Sequence, residues 1–188
     1  MSVFTGMEEI TELDHFLIII NFSVDWVSGD GVEGNCFGKT EEGGEFKAII
    51  FRNTVENEEH IALVKGDISG ATPVLTRFHA ENIVTDVLGS AMLRANTLRQ
   101  SLKIIGDEGR GVIVFIRNTS PTPFSDTLNP QDSGEAMPTR LRDYGMGAQI
   151  VLDLGLHEIE LLSDTPRTVV ALDGYDLKIS GQRPIFGD

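Results

Sequence analysis

The segment FKAIIFRNTVENEEHIALVKGDISGATPVLTRFHAE, residues 46–81, holds three short runs rich in Ile, Val, Phe and Leu. Phe46–Arg52, His60–Lys65 and Pro73–His79 each have the length and composition of a β-strand. Gly66, Asp67 and Gly70 punctuate the second connection. Alternate side chains of a strand share a face, which places Arg77, His79 and Glu81 on one side of the third run. Such a triplet can be an anion-binding cluster or an ion-pair network on an exposed sheet face.

Downstream, Thr85 or Asp86 can cap a helix running to about Ile105. Val87, Leu88, Ala91, Leu98, Leu102 and Ile105 approximate helical spacing, and Gly106 is the expected end. Gly111–Ile116 (GVIVFI) is a continuous apolar run that suits a strand buried on both faces. Residues 118–137 are rich in Pro, Ser, Thr, Asn and Asp, and a long loop or a disordered excursion is expected there. Thr139–Leu154 reads as a second helix with Ile150, Val151 and Leu154 facing the core and Gly155 as C-cap. A strand at Glu158–Leu162, a short helix after Pro166 and a strand at Leu177–Ser180 complete the chain. Strands come first, then helix and strand alternate. That order predicts an α+β, α/β-like domain: a mixed sheet with flanking helices.

Upstream, Phe16–Phe22 (FLIIINF) is the most apolar run, preceded by Glu8, Glu9, Glu12 and Asp14. A bilayer span takes about 20 residues, and a secretory leader starts with basic residues. A buried strand is therefore expected. The glycines from Gly29 to Gly44 mark a loop, without the GxGxxG pattern of a phosphate loop.

Asp and Glu number 29 against 15 Lys and Arg, for a net charge of −14. Such a surface repels nucleic acid and anionic membrane, so neither is expected as a partner. A local basic pocket for a phosphorylated small molecule remains compatible with it. Cys36 is the single cysteine, so no intrachain disulfide and no multi-cysteine metal site can form. A reducing cytoplasm is the simplest compartment. His15, His60 and His157 lack metal-ligand spacing, and no GxSxG or hydrolase triad is present.

Residues 46–81, together with DEGRGVIVFIR (107–117), TRLRDYGMGAQIVLDLG (139–155) and LLSDTPRTVVALDGYDLKISGQRPI (161–185), resemble GTP cyclohydrolase II of riboflavin synthesis. The form fused behind 3,4-dihydroxy-2-butanone-4-phosphate synthase is especially similar. The resemblance divides the chain into an N-terminal extension, residues 1–44, and a family domain, residues 45–188. It implies that fold, a homodimer, and chemistry in which a zinc-activated water opens the imidazole ring of GTP.

The resemblance also implies where this chain departs from its family. The zinc cysteines should follow the RxHxE segment and recur as a Cys-x-Cys pair. Here Asn82 holds the first position, and Gly89–Leu98 (GSAMLRANTL) contains neither Cys nor His, so zinc is not expected. Thr97 falls near the guanine-reading glutamine. Thr119, Ser120 and Pro121 replace a phosphate-contacting EGR. Arg142 keeps the position of the family's proposed nucleophilic arginine, while Arg140 replaces its aspartate. A guanidinium stays protonated and cannot serve as acid–base catalyst, but two arginines can clamp phosphate or carboxylate. Ser163 and Thr168 fall on phosphate contacts. The expected ligand set is Arg77, His79, Glu81, Arg140 and Ser163, around a nucleotide, flavin or other phosphorylated small molecule. The expected role is regulatory or accessory in flavin metabolism, without zinc-dependent ring opening. The alternatives are an altered, zinc-independent enzyme or a structural subunit beside a riboflavin-pathway enzyme.

Overall fold

The structure is a computed structural model that describes residues 22–23, 40–53, 58–70, 72–89, 96–128, 136–165 and 176–187. Its elements in chain order are β1 (Phe22–Ser23), β2 (Lys47–Asn53), β3 (Glu58–Lys65), β4 (Val74–Ala80), α1 (Ile83–Asp86), α2 (Thr97–Glu108), β5 (Gly111–Ile116), α3 (Pro123–Leu128), α4 (Ala136–Asp153), β6 (Glu158–Leu162) and β7 (Lys178–Arg183). The strands form one mixed sheet in the order β1-β2-β3-β5-β4-β6-β7. Neighbours from β1 to β5 pair antiparallel; β5, β4, β6 and β7 run parallel. The expected α+β mixed sheet with flanking helices is the observed one.

Strand β5 shows why the sheet is buried on both sides. Val112, Val114 and Ile116 join Phe78, Met146 and Ile150 in a core under α4. Ile113, one residue out of phase, joins Leu75, Leu102 and Ile105 under α2. A helix on each face makes every position of the strand apolar, as the GVIVFI run predicts. Helix α4 approaches closely because Gly147 lacks a side chain: a Cβ there would meet Phe78 Cδ1 at 2.5 Å.

Several boundaries differ from expectation. The single helix from Thr85 or Asp86 to Ile105 is two helices, α1 and α2. Asn82 is the cap of α1: its Oδ1 accepts from Val84 N and Thr85 N at 3.1 and 3.3 Å. The Thr85 hydroxyl instead donates to Asn82 O, and the Asp86 carboxylate turns to the strand. Gly89, at φ 61, leaves the helical region. Gly106 does not end α2; Gly109, at φ 74, caps it with its N–H on Ile105 O and Gly106 O. The expected loop 118–137 contains α3, which starts on Pro123, a residue pre-set for a first helical turn. The Ser120 and Thr122 hydroxyls hold its Asp126. Helix α4 begins at Ala136 instead of Thr139, and the last strand is Lys178–Arg183 instead of Leu177–Ser180. Of the apolar run Phe16–Phe22, only Phe22 is described, paired with Asn53; the helix expected after Pro166 lies outside the described residues. No described helix is long and apolar enough to cross a membrane.

Candidate functional site

The parallel strands end on one side of the sheet, where α1 leaves β4 and α2 begins. In open α/β sheets, ligands gather at such carboxyl ends. An open cleft of about 300 Å³ lies here. Arg77 and His79 line it from β4, Ile116 from the end of β5, and Tyr144 from α4. Asn82, Thr85, Thr97 and Thr165 close its rim.

Strand β4 carries Arg77 and His79 to the cleft. Arg77 Nη1 donates to Leu162 O at 3.1 Å, which ties β4 to the end of β6. Among the described residues it forms no ion pair, and its Nε is buried without a partner. Burial lowers its pKa, and Tyr144, Asp164 and Asp86 act in the opposite direction. His79 is 5% exposed and stacks on Phe115 at 5.6 Å between ring centroids. Its Nε2 lies 2.9 Å from Asp86 Oδ2, and its Nδ1 is buried without a partner among the described residues. Burial pushes the Asp86 carboxyl up, but hydrogen bonds from His79, Asn82 N and Thr85 outweigh this and hold it below its usual range. An ionised carboxylate can only accept, so His79 Nε2 carries the hydrogen.

The sequence-expected site residues do not all meet. Arg77 and His79 share the cleft. Glu81 lies past the end of β4, and its Oε2 accepts from Asn118 N at 3.1 Å, beside a small hollow under Phe124. Ser163 is buried after β6, and its hydroxyl accepts from Thr165 N at 3.2 Å, so it shapes the rim through Thr165. Arg140 and Arg142 lie in the early turns of α4, whose Tyr144 reaches the cleft. The side chains of both arginines, and Thr168, lie outside the described residues.

Tyr144 was not among the sequence-expected site residues. It packs edge-on against Phe78, with centroids 6.2 Å apart, and also lines the cleft. Asp86, Thr85 and Thr165 were not singled out as site residues. The Thr-Asp ending of the short helix gave no signal, because the partner of Asp86 is on the preceding strand. His60 is buried, with Nδ1 accepting from Arg117 N at 3.2 Å.

Fold and cleft together define a small α+β domain with an open cleft at the carboxyl ends of parallel strands. The model of the family described as GTP cyclohydrolase II matches residues 33–184, and the chain belongs to that family. The riboflavin biosynthesis protein RibBA of Bacillus mycoides is 38% identical over 156 residues, 76% of this chain and 39% of that protein. The monofunctional riboflavin biosynthesis protein RIBA 2, chloroplastic, of Arabidopsis thaliana is 37% identical over 151 residues, covering 76% and 32%. Among solved structures, RibBX of A. baumannii, described as a two-domain 3,4-dihydroxy-2-butanone 4-phosphate synthase, has a TM-score of 0.53 and 26% identity. That match covers 77% of this chain and 37% of RibBX. The chain thus spans less than half the length of these relatives.

Proposed function

We propose that this family member binds a nucleotide, flavin or other phosphorylated small molecule in the cleft and acts as a regulatory or accessory protein in flavin metabolism, without zinc-dependent opening of GTP. The observation that carries this reading is Asn82. It stands where the family resemblance puts the first zinc thiolate, and its Oδ1 is spent on Val84 N and Thr85 N as a helix cap. A neutral amide whose oxygen is already engaged is a poor substitute for a thiolate, and zinc sites need three or four N, S or O ligands. The sequence from Ser90 to Ala95 adds neither Cys nor His. These residues do not fit zinc.

Anion binding rests on Arg77, a half-buried cation without an ion pair among the described residues, with Arg140 and Arg142 on the helix that also carries Tyr144. Arg142 keeps the position of the family's reactive arginine. Ser163 supports the cleft rim through Thr165, and Glu81 lies at the neighbouring hollow. The reading includes a cytoplasmic homodimer without nucleic-acid or membrane partners, in line with the net charge of −14. The test is to incubate purified protein with GTP and zinc, assay formate and bound metal, and titrate GTP and FMN calorimetrically. Binding without formate or stoichiometric zinc is expected; formate release with bound zinc overturns the reading.

A structural subunit beside a riboflavin-pathway enzyme is the second reading. It is favoured by the match to RibBX, which is described by a synthase activity. Co-purification with such a synthase, read by mass in solution, separates the two.

A further inference from the structure

Among the described residues, six large apolar side chains are exposed, and five of them belong to two neighbouring helices: Ile83, Val87 and Leu88 on and just after α1, and Phe124 and Leu128 on α3. The helices pack against each other, and Ile83 and Phe124 line a hollow between them. Val87 follows Ile83 by one turn, and Leu128 follows Phe124 by one turn, so each helix adds a short apolar stripe. A clustered apolar surface of this kind marks a place where something docks.

The chain itself carries a segment of matching chemistry. The run Phe16–Ile20 (FLIII) holds no charge and lies before residue 33, where the match to the family begins. Strand β1 fixes where that segment enters the sheet. Phe22 pairs with Asn53 and Ser23 with Arg52, antiparallel, so the chain enters β1 from beyond the carboxyl end of β2. Strands β2, β5 and β4 point the same way, because β3 runs antiparallel to both β2 and β5, and β4 runs parallel to β5. The entry is therefore on the edge of the sheet where β5 leads to α3 and β4 leads to α1. From β1 to β5 is three strand spacings and to β4 four, about 14 to 19 Å. Residues 16–21 span up to about 20 Å when extended.

We propose that Phe16–Ile20 docks on the apolar surface of α1 and α3 and covers it. An uncharged apolar run gains by leaving water, and this surface is within its reach. Docked there, it lies against α1, whose Asn82 cap and Thr85 border the cleft, so the N-terminal extension and the cleft share one helix. The inference holds whatever ligand the cleft takes.

The experiment is hydrogen–deuterium exchange on the full chain, as wild type and with Leu88→Glu and Leu128→Glu combined, two exposed positions outside the cleft lining. Amides of residues 16–21 are expected to be protected in wild type. Protection is expected to fall by about tenfold or more in the variant, the effect of uncovering one large apolar side chain. Wild-type protection of β5 shows that the fold is intact. If the variant fails to fold, Ile18→Glu is read instead, and the amides of Val84–Leu88 and Phe124–Leu128 are expected to exchange faster. An unprotected run in wild type overturns the proposal. So does protection of the run that the patch variant leaves unchanged, or exchange of the two helices that Ile18→Glu leaves unchanged. Protection that grows with protein concentration overturns it in favour of a second copy of the chain.

Discussion

His79 Nε2 and Asp86 Oδ2 meet at 2.9 Å across the turn from β4 to α1, with their side chains only 6% and 8% exposed. One contact joins the sheet to the helix that borders the cleft, and it fixes the tautomer of the cleft histidine. The turn is further held by Asn82 N on the same carboxylate oxygen. The strand end, the helix cap and the His79 ring are therefore one hydrogen-bonded unit.

Asp86→Asn tests that unit through pH. Burial raises the carboxyl, but hydrogen bonds, His79 foremost, bring it below its ordinary value near 3.8. A depressed carboxyl contributes stability that is complete above 3.8 and lost as pH falls through the folded value. Wild type is expected to be more stable than Asp86→Asn by about 1–2 kcal/mol at neutral pH, the scale of a charged hydrogen bond. The gap should close below pH 3.8 in denaturant unfolding. A gap that does not change with pH would show that the carboxylate charge is not its source.

Asn82 separates capping from metal binding. Asn82→Ala removes the acceptor for Val84 N and Thr85 N and is expected to cost about 1 kcal/mol, whereas Asn82→Asp keeps it. Adding a chelator to wild type should leave the melting temperature unchanged. Loss of thermal stability on chelation would show a structural metal at this turn.

Arg77 predicts a trade between stability and binding. Its guanidinium is half-buried, keeps one hydrogen bond to Leu162 O and has no ion pair among the described residues. Replacing a buried charge by an apolar side chain of similar volume is often neutral or stabilising. Arg77→Met is expected to hold or raise the melting temperature while phosphate binding falls by tenfold or more, about 1.4 kcal/mol. Calorimetry and thermal melting on one preparation check both. A variant that binds as well as wild type removes Arg77 from the site.

The sheet was legible because its signal is local. The runs of β2, β3, β4 and β5 are apolar at strand length, and a helix on each face makes Gly111–Ile116 apolar throughout. The break between α1 and α2 was hidden because Val87 and Leu88 keep helical spacing. They are 73% and 67% exposed, so their spacing does not report a buried face. Helix α3 was hidden because Ser, Thr and Asp at helix starts and in loops look alike; here Ser120 and Thr122 bracket Asp126. In the site, the alternation of Arg77 and His79 was readable along one strand. The pairing of His79 with Asp86 joins different elements and leaves no periodic trace. Glu81 was grouped with Arg77 and His79 by spacing, but β4 ends at Ala80, and beyond that end the alternation no longer holds.

Gly147 gives a prediction that runs against helix propensity. In an exposed helix interior, Gly→Ala stabilises by about 1 kcal/mol. Here an added Cβ would lie 2.5 Å from Phe78 Cδ1 and 2.8 Å from Cε1. Phe78 is 6% exposed between the sheet and α4, and its ring meets Tyr144 edge-on, so it has little room to yield. Overpacking a filled core costs about 1–3 kcal/mol, which outweighs the propensity gain. Gly147→Ala is therefore expected to lower the melting temperature by about 2–4 °C for a domain of this size. Moving Phe78 also moves Tyr144, so phosphate affinity should drop with it. Phe78→Leu frees the space, and in a double-mutant cycle the two substitutions should be less damaging together than their sum. Additive effects would mean that α4 does not press on Phe78, and that Tyr144 reaches the cleft independently of this contact.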